Sequence, residues 1–474
     1  MRFLNTFGQF FFSDTKMAKT VVLKIGGGIL RNKESFDRVV DIVKKKHQKG
    51  EKQIIVISAL YGVTDFLIDS MSKCALDVNQ VEPVIIALKK MHKDYLAFIS
   101  DSKVRQNAEF TLGEKISVLE KFLYGIGYLK EISPRSKDLV QSFGERLSPV
   151  VLEAFLLDNK VSSEFIDAEE AGIVCKGQFE NALCDMDKTI KNLNTNVLPL
   201  LEKKVVLLPG YYGIDESGDV KTFGRGGTDY SSGFIANIFN AELEIWKDVS
   251  GFMTADPKIV PNAKQIALLS YEEAEELGYL GAKILHPKTI DPIRKKGLFA
   301  EIKNVFAPDI KGTIICRDKK RDGAVIKSIA STKDIAVLNI ESASMINAPG
   351  FAALLFSKLA EREIPIDLIV TSEASISISL DAKRLDKALA AANEINNVYP
   401  CVITSVKDLS MIGAIGEGLG QTPGVAGKIF GALGKEKVNI ELISQGASEI
   451  NVSFVVKKAD HDRAVLAVHN EFIK

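Results

Sequence analysis

The sequence predicts a multi-domain α/β protein in which a large domain built on a parallel sheet precedes two smaller α+β domains. Three observations support this prediction. The length of 474 residues corresponds to about three domains of roughly 150 residues each. The N-terminal part alternates apolar strands with amphipathic helices, and the C-terminal part contains an internal repeat.

The first elements form a strand–helix–strand unit. An apolar strand at 20–24 runs into three glycines, apolar residues at helical spacing follow at 36–43, and 53–60 predicts a buried strand. Such a unit implies a parallel sheet. Further strands at 204–208 and 243–249 enclose a predicted helix at 230–239. We assign the large domain to residues 19–312.

The C-terminal part repeats itself without a gap. The copy that begins at Gly350 reads GFAALLFSKLAEREIPIDLIVTSEASISISL, and the copy that begins at Gly424 reads GVAGKIFGALGKEKVNIELISQGASEINVSF. Each copy predicts a helix followed by two strands. The duplication therefore predicts two α+β domains, one at 313–403 including a polar linker and one at 404–474.

Composition excludes several classes of protein. The chain has 46% hydrophobic and 26% charged residues, and 61 basic side chains balance 61 acidic ones. A disordered tail, a collagen and a disulfide scaffold would each look different. Because zero net charge gives no general attraction to nucleic acid or anionic membranes, we expect neither as a partner.

The cysteines and the N-terminus indicate a compartment. The five cysteines are odd in number and include no CxxC pair, which favours a reducing environment and a cytoplasmic location. Residues 1–18 lack the long apolar core and cleavage site of a signal peptide, so we predict a disordered extension, with Met17 as an alternative start. No run approaches the ~18 apolar residues of a membrane helix.

The segment KIGGG, from Lys24 to Gly28, follows the first strand. Glycines at this point let backbone N–H groups approach an anion, and the next helix adds the positive end of its dipole. A plain strand-to-helix turn explains the same residues equally well. The segment is not a P-loop, because no GK[ST] follows.

The most informative stretch is TFGRGGTDYS, from Thr222 to Ser231. Three glycines bracket Arg225, whose planar fork suits a carboxylate or phosphate. Thr228 and Asp229 stand where a helix begins and could alternatively be only its N-cap, although a cap requires neither the glycines nor the arginine. A third segment, WKDVSGFMTADPK, follows a strand, where ligand loops occur; a solvated turn is its alternative.

Two patterns carry less weight. GEGLG, from Gly416 to Gly420, resembles half of a dinucleotide fingerprint but lacks the long βαβ context, so we interpret it as a loop. The five histidines are far apart and form no metal or triad motif.

Together these segments resemble one family, the aspartate kinases (aspartokinases) of the amino-acid kinase superfamily. The matching segments are KIGGG, SALYGVTD at Ser58, SFGERLS at Ser142, TFGRGGTDYS, WKDVSGFMTADPK and GAKILHP at Gly281, and the repeat resembles tandem ACT domains. The resemblance implies the amino-acid kinase fold, a mainly parallel sheet sandwiched by helices, followed by two α+β ACT domains. It implies ATP-dependent phosphorylation of the L-aspartate side chain to 4-phospho-L-aspartate, the first step of lysine, threonine and methionine biosynthesis.

The resemblance also implies roles for individual residues. Lys24 and Asp229 would be catalytic. The residues that would bind aspartate are Thr64, Glu145, Arg225, Gly226, Gly227 and Thr228. The residues that would bind ATP are Lys24, Gly26, Gly27, Gly28, Lys247, Asp248, Met253, Lys258, Lys283 and Ile284. The implied cofactors are ATP and Mg²⁺, and no residue is assigned to a metal.

The chemistry of the residues agrees with this resemblance. An aspartate carboxylate, with a pKa of about 3.9, is already a nucleophile at neutral pH, so no general base is required. Catalysis then rests on positioning and on charge neutralisation. One departure is Gly28-Ile29, where the family usually has a Thr/Ser-Ser pair. Because the other motifs are intact, we expect activity.

The ACT pair implies regulation by an end-product amino acid. The residues that would bind this effector are Met345, Gly350, Phe351, Asp367, Ser372 and Glu373. The Asp367 carboxylate could pair with the side-chain ammonium of lysine, which favours lysine over threonine. We expect a monofunctional enzyme that forms a homodimer or homotetramer through its ACT domains. Another amino-acid kinase fused to ACT domains and a catalytically silent amino-acid sensor remain as alternatives.

Overall fold

The structure, a computed structural model, describes residues 19–281, 284–317, 324–346, 350–446 and 450–473. The predicted extension at 1–18, most of the polar linker and Lys283 lie outside these residues. Among the described residues, no helix is long and apolar enough to cross a membrane.

The strands and helices of the described residues follow one another in an α/β pattern that changes to α+β after residue 327. The strands are β1 (Thr20–Ile25), β2 (Lys52–Ile57), β3 (Ser163–Phe165), β4 (Cys175–Lys176), β5 (Leu183–Cys184), β6 (Val205–Pro209), β7 (Tyr212–Ile214), β8 (Val220–Thr222), β9 (Glu242–Lys247), β10 (Leu268–Ser270), β11 (Ala300–Asn304), β12 (Thr313–Cys316), β13 (Ser328–Glu341), β14 (Leu368–Thr371), β15 (Ser375–Asp381), β16 (Val402–Ile415), β17 (Leu442–Gln445) and β18 (Asn451–Lys457). The helices are α1 (Lys33–Gln48), α2 (Val63–Leu76), α3 (Val81–Leu96), α4 (Ser102–Leu129), α5 (Pro134–Asp158), α6 (Ala168–Ala171), α7 (Met186–Asn196), α8 (Leu198–Leu201), α9 (Gly227–Phe239), α10 (Tyr271–Tyr279), α11 (Ile290–Lys296), α12 (Phe351–Ala360), α13 (Leu385–Asn396), α14 (Val425–Lys435) and α15 (His461–Phe472).

The chain divides into two compact units. The first contains Met1–Val249 and Asp291–Ile310, and the second contains Ser250–Ile290 and Lys311–Lys474. The second unit thus includes a segment that the sequence analysis assigned to the large domain. The predicted domain boundaries stay predictions.

The first unit is built on six parallel strands in the order β3-β6-β2-β1-β9-β11. Strand β1 lies at the centre, and its residues 21, 23 and 25 pack into the core with α1 and α5. Helix α1 begins after Asn32, whose side chain accepts a hydrogen bond from the N–H of Ser35 and so satisfies the first turn. The predicted strand–helix–strand unit is confirmed.

The opposite face of β1 is occupied by α9, which packs against it. Because side chains alternate along a strand, Lys24 points to this second face while its neighbours Leu23 and Ile25 enter the core. The sequence of one strand therefore serves both the core and a polar site.

The second unit contains an antiparallel sheet in the order β14-β15-β13-β16-β18-β17. Each repeat contributes the predicted helix and two strands, and a second helix follows in both copies. The helices cover two separate apolar cores, one for each repeat. The predicted fold class, an α/β region followed by two α+β repeats, is confirmed.

The two repeats are interleaved through the long strand β13. Its residues 328–333 pair with the end of β16 and complete the strands of the second repeat, whereas residues 335–341 pair with β15 of the first repeat. The strand that completes the second repeat thus precedes the first repeat in the chain. The boundary that we placed between 403 and 404 falls inside β16.

The GEGLG segment is a turn, as the sequence analysis interpreted it. It leads into a short 3-10 helix at Leu419–Gln421. A Cβ on Gly416 would collide with the backbone of the preceding chain, at 2.9 Å from Ile326 Cα and 3.0 Å from Lys327 N. These glycines therefore allow two backbones to approach closely and do not mark a nucleotide site.

We expect Gly416→Ala to lower the thermal stability of the protein, because overpacking against backbone costs about 1–3 kcal/mol. The matched control is Gly427→Ala in α14, where a Cβ would meet no atom within 4 Å. That substitution should be neutral or stabilise by up to about 1 kcal/mol. Circular dichroism melting curves compare the two variants, and equal midpoints would contradict the packing argument.

Candidate functional site

A cavity of about 220 Å³ lies in the first unit at the carboxyl ends of β1, β2 and β6. In parallel sheets this is the edge at which ligands usually bind. The residues that line it are Lys24, Ser58, Thr64, Glu145, Tyr211, Gly226, Gly227, Thr228 and Asp229. The structure therefore brings together both predicted catalytic residues and five of the six residues predicted to bind aspartate.

A buried ion pair joins β1 to α9 inside this cavity. Lys24 Nζ lies 2.6 Å from Asp229 Oδ1, and the two residues are 5% and 8% exposed. Lys247, at the end of β9, adds a second cation, and its pKa is lowered by burial and by the charge of Lys24. A Cβ on Gly26 would lie 3.3 Å from Lys24 Nζ, so the lysine head is packed beside the glycine loop.

Glu145 is the buried acid of the cavity. Its Oε1 accepts a hydrogen bond of 3.4 Å from the hydroxyl of Ser58, which in turn accepts one from Thr228. Its Oε2 is buried and has no hydrogen-bond partner among the described residues. Burial raises the pKa of Glu145 to about 8, although the nearby donor groups of Ala59, Ser58 and Thr228 oppose the shift. The group would therefore ionise readily beside a bound cation.

The glycine loop after β1 approaches other backbone closely. A Cβ on Gly27 would lie 2.8 Å from the carbonyl oxygen of Ala59, whereas one on Gly28 would meet no atom within 4 Å. Arg31 links the loop to the end of β9, because its Nε donates to Gly28 O at 2.6 Å and its Nη2 donates to Asp248 at 2.8 Å. The sequence analysis missed Arg31, and its only signal was a position three residues after the last glycine.

The TFGRGGTDYS segment forms the start of α9. Gly226 is the N-cap, in the left-handed conformation with φ of 76°, and the helix begins at Gly227. The alternative that Thr228 or Asp229 merely caps the helix is wrong, because both lie in its first turn and line the cavity. Arg225 precedes the N-cap and is exposed to solvent beside the cavity.

A buried carboxylate holds the strand that leads to Arg225. Asp138 of α5 accepts hydrogen bonds from the N–H and the hydroxyl of Thr222, at 2.9 and 2.7 Å, and from the N–H of Glu180 at 2.8 Å. Burial raises the pKa of Asp138, and these donors counteract part of the shift. Helix α5 therefore supplies Glu145 and, two turns earlier, anchors the neighbouring strand. The sequence analysis also missed this residue.

Tyr211 forms a wall of the cavity in an unusual backbone conformation, with φ of 77°. Its hydroxyl donates to Gln141 Oε1 at 2.7 Å, and its N–H donates to Ser231 Oγ at 3.1 Å. A Cβ on Gly227 would lie 2.8 Å from the Tyr211 ring. These contacts hold the strained residue in place. Its position two residues after the end of the parallel strand β6 was the available signal.

Three residues predicted to bind ATP belong to the second unit. Met253 is half-buried, and its carbonyl oxygen accepts a hydrogen bond from the hydroxyl of Ser328 at 2.8 Å. Lys258 is exposed and Ile284 is half-buried. Lys283 lies outside the described residues. The assignment of these four residues to an ATP site stays a prediction.

The residues predicted to bind an effector lie in the first repeat. Asp367 directly precedes β14. The residue as a whole is exposed, but partial desolvation of its carboxyl group, together with the charge of Asp381, raises its pKa to about 6. Ser372 lines a cavity of about 710 Å³ at the end of the sheet. Phe351 is instead a core residue that packs on Tyr399, with ring centroids 5.4 Å apart.

The remaining effector candidates differ in exposure. Met345 is half-buried against the core of the first repeat, whereas Glu373 is exposed. Gly350 is the left-handed N-cap of α12, with φ of 97°. The structure thus places the six candidates in one repeat without gathering all of them around one cavity.

Comparison with known proteins agrees with this geometry. The profile of the amino acid kinase family matches residues 19–304, and an ACT domain profile matches residues 338–395 and 412–472. The first match covers more than half of the chain and includes the cavity that contains Lys24 and Asp229. The fold and the site therefore define an amino acid kinase with C-terminal ACT domains.

Individual relatives identify the branch of this family to which the chain belongs. Aspartokinase 2, chloroplastic, from Arabidopsis thaliana is 30% identical over 483 residues, which cover 98% of this chain and 86% of that protein. The crystal structure of E. coli aspartokinase III with aspartate and ADP has a TM-score of 0.81 at 26% identity, covering 96% of this chain and all of that chain. Its complex with lysine and aspartate has a TM-score of 0.80, with the same identity and coverage. The chain belongs to the aspartokinases of the amino acid kinase family, which are phosphotransferases.

Proposed function

We propose that this chain uses MgATP to phosphorylate the side-chain carboxylate of L-aspartate, giving 4-phospho-L-aspartate. The observation that carries the proposal is the cavity in which the Lys24–Asp229 ion pair and the unpartnered Glu145 oxygen converge, with the charge of Lys247 acting on that ion pair from the end of β9. The complex of E. coli aspartokinase III with aspartate and ADP supports the choice of substrates.

The cavity offers separate partners for the groups of aspartate. Glu145, with its free Oε2, would bind the substrate ammonium, and Thr64 and Thr228 offer hydroxyls beside it. The exposed guanidinium of Arg225 would pair with a carboxylate in a bidentate manner. The side-chain carboxylate is then free to attack the phosphoryl group without a general base.

The residues of the glycine loop fit the phosphates of ATP. The loop supplies backbone N–H groups, and Lys24 and Lys247 supply positive charge where negative charge accumulates during transfer. Asp229 would hold Lys24 in position. Mg²⁺ would be held chiefly by phosphate oxygens, because it usually takes only one or two protein carboxylates, and it would neutralise further charge.

The Gly28-Ile29 departure is compatible with this proposal. Because a Cβ on Gly28 would meet no atom within 4 Å, a hydroxyl side chain would also fit there, and glycine keeps the backbone N–H groups. Ile29 is buried in the core of the first unit, away from solvent. The departure removes a hydroxyl and leaves the cations of the cavity unchanged.

We further propose that lysine is the feedback effector, acting at the first repeat. The carboxyl group of Asp367 and the lysine complex of E. coli aspartokinase III support this choice. A role in lysine, threonine and methionine biosynthesis, a cytoplasmic location and assembly through ACT domains belong to the same proposal. The monofunctional form stays a prediction.

The central test is an ATP-dependent hydroxamate assay with L-aspartate. We expect Lys24→Met to reduce turnover at least about 100-fold, because a positive charge beside the transferring phosphoryl group is lost. Lys115→Met, at an ion pair with Asp167 outside the cavity, is the matched control and should retain turnover.

The Lys24 variant leaves Asp229 buried without its partner and could unfold. Lys24→Met combined with Asp229→Asn removes both charges and should regain thermal stability without regaining turnover. Near-normal turnover in either folded variant would contradict the proposed role. Absence of aspartyl hydroxamate with the wild-type protein would favour a silent sensor, and a different amino-acid acceptor would favour another amino-acid kinase.

The KM for aspartate should fall as pH rises. In the folded protein the pKa of Glu145 is about 8, and a bound ammonium favours the ionised form, so below pH 8 binding must first expel a proton. The expected decrease between pH 7 and pH 8 is about fivefold. Steady-state kinetics measure it. In Glu145→Gln the KM should be higher and flat over this range; a flat wild-type profile would argue against the assignment.

Lysine should stabilise the protein less at acid pH. Because the pKa of Asp367 is about 6, this group is ionised at pH 7.5 and mostly protonated at pH 5. The apparent Kd for lysine should therefore rise about tenfold between these values. Thermal-shift titrations with lysine, threonine and methionine measure this, and Asp367→Asn should abolish the pH dependence. A shift with threonine alone would overturn the choice of lysine.

A further inference from the structure

Two cysteines of the first unit face each other across a short β-ribbon. Strands β4 and β5 pair in antiparallel register, with Cys175 directly opposite Cys184. Both thiols are reduced and buried. Directly opposite residues of an antiparallel pair project their side chains to the same face. The spacing of the two cysteines along the chain does not predict that their side chains lie side by side.

The backbone hydrogen bonds of the ribbon show whether the two cysteines form a hydrogen-bonded or a non-hydrogen-bonded pair. Asp185 N–H donates to Val174 O at 2.8 Å, and Cys184 N–H donates to the Tyr230 hydroxyl at 3.2 Å instead of to Cys175. The two cysteines therefore occupy a non-hydrogen-bonded position, where Cα atoms are about 4.5 Å apart. This separation lies within the range of about 4.4–6.8 Å found for disulfides.

The surroundings make the thiols slow to react. Burial raises the pKa of both Cys175 and Cys184 to about 12. The Cys184 thiol also donates to Thr189 Oγ1 at 3.4 Å. The charged groups that face the pair are Asp138, Asp215 and Lys221 around Cys175, and Asp185 and Lys176 around Cys184. Little thiolate exists at neutral pH, so any oxidation requires a strong or persistent oxidant.

The ribbon supports the loop that carries Arg225. Between its two strands, Glu180 N–H donates to Asp138, and Ala182 N–H donates to Thr222 O at 2.9 Å. A Cβ on Gly224 would collide with the carbonyl oxygen of Glu180. A crosslink at the base of the ribbon would therefore restrict the segment on which this loop rests.

We propose that Cys175 and Cys184 are an oxidation site at which a peroxide forms a reversible disulfide across the β4–β5 ribbon. One thiolate attacks the peroxide, so that an S–O bond forms, the O–O bond breaks and hydroxide leaves. The second sulfur then attacks the first, which forms the S–S bond and displaces the second hydroxide. The two thiol protons convert the hydroxides to water, and two electrons pass from the sulfurs to the peroxide.

The test uses the full chain with Cys316→Ala and Cys401→Ala, which removes the two half-buried thiols and leaves the three buried ones. Hydrogen peroxide is added at pH 7 and at pH 9, followed by alkylation, proteolysis and mass spectrometry. We expect a peptide pair linked through Cys175 and Cys184, lighter by about 2 Da than the two thiol peptides. It should form faster at pH 9 and disappear with dithiothreitol.

Thermal unfolding tests the crosslink independently of enzyme activity. Because the disulfide closes a short loop, oxidation should raise the melting temperature by about 5 °C. Cys184→Ala and Cys175→Ala, each in the same background, should show neither the linked peptide nor the shift. Thiols that stay reduced, a link to Cys74, oxidation to sulfinic acids or an unchanged melting temperature of the linked protein would each overturn the proposal.

Discussion

The buried ion pair between Lys24 and Asp229 is the interaction on which the rest of the site depends. Two charges removed from water are costly unless each satisfies the other, so β1 and α9 must meet in one register for the first unit to be stable. The same register brings Lys24 and Thr228 into one cavity, which Glu145 of α5 completes. A structural requirement of the first unit and the assembly of the candidate site are thereby the same constraint.

Close backbone approaches reinforce this constraint. A Cβ on Gly27 would press on the carbonyl oxygen of Ala59, and one on Gly227 would press on Tyr211, so these glycines are required for packing. The polar face of α5 completes the arrangement through Asp138, which holds the neighbouring strand. The cavity is therefore defined by backbone geometry first and by its charged side chains second.

In the second unit, strand β13 connects the regulatory region with the segment that carries Met253. At one end, Ser328 donates to Met253 O, and Ile329 N–H donates to Thr254 O at 2.9 Å. The other end of the strand, at Glu341, borders the larger cavity of the first repeat. A ligand that bound differently to two arrangements of this sheet would act on the Met253 segment through continuous backbone pairing.

The sequence by itself determined the α/β class, the repeated region and most of the residues that line the cavity, because strand alternation, glycine turns and charged residues at strand ends are local signals. Only the tertiary structure decided that Gly226 caps α9, that the repeats interleave through β13, and that Cys175 meets Cys184. It also revealed Asp138 and Tyr211. These features depend on long-range register and burial, which bring together residues whose spacing along the chain carries no such information.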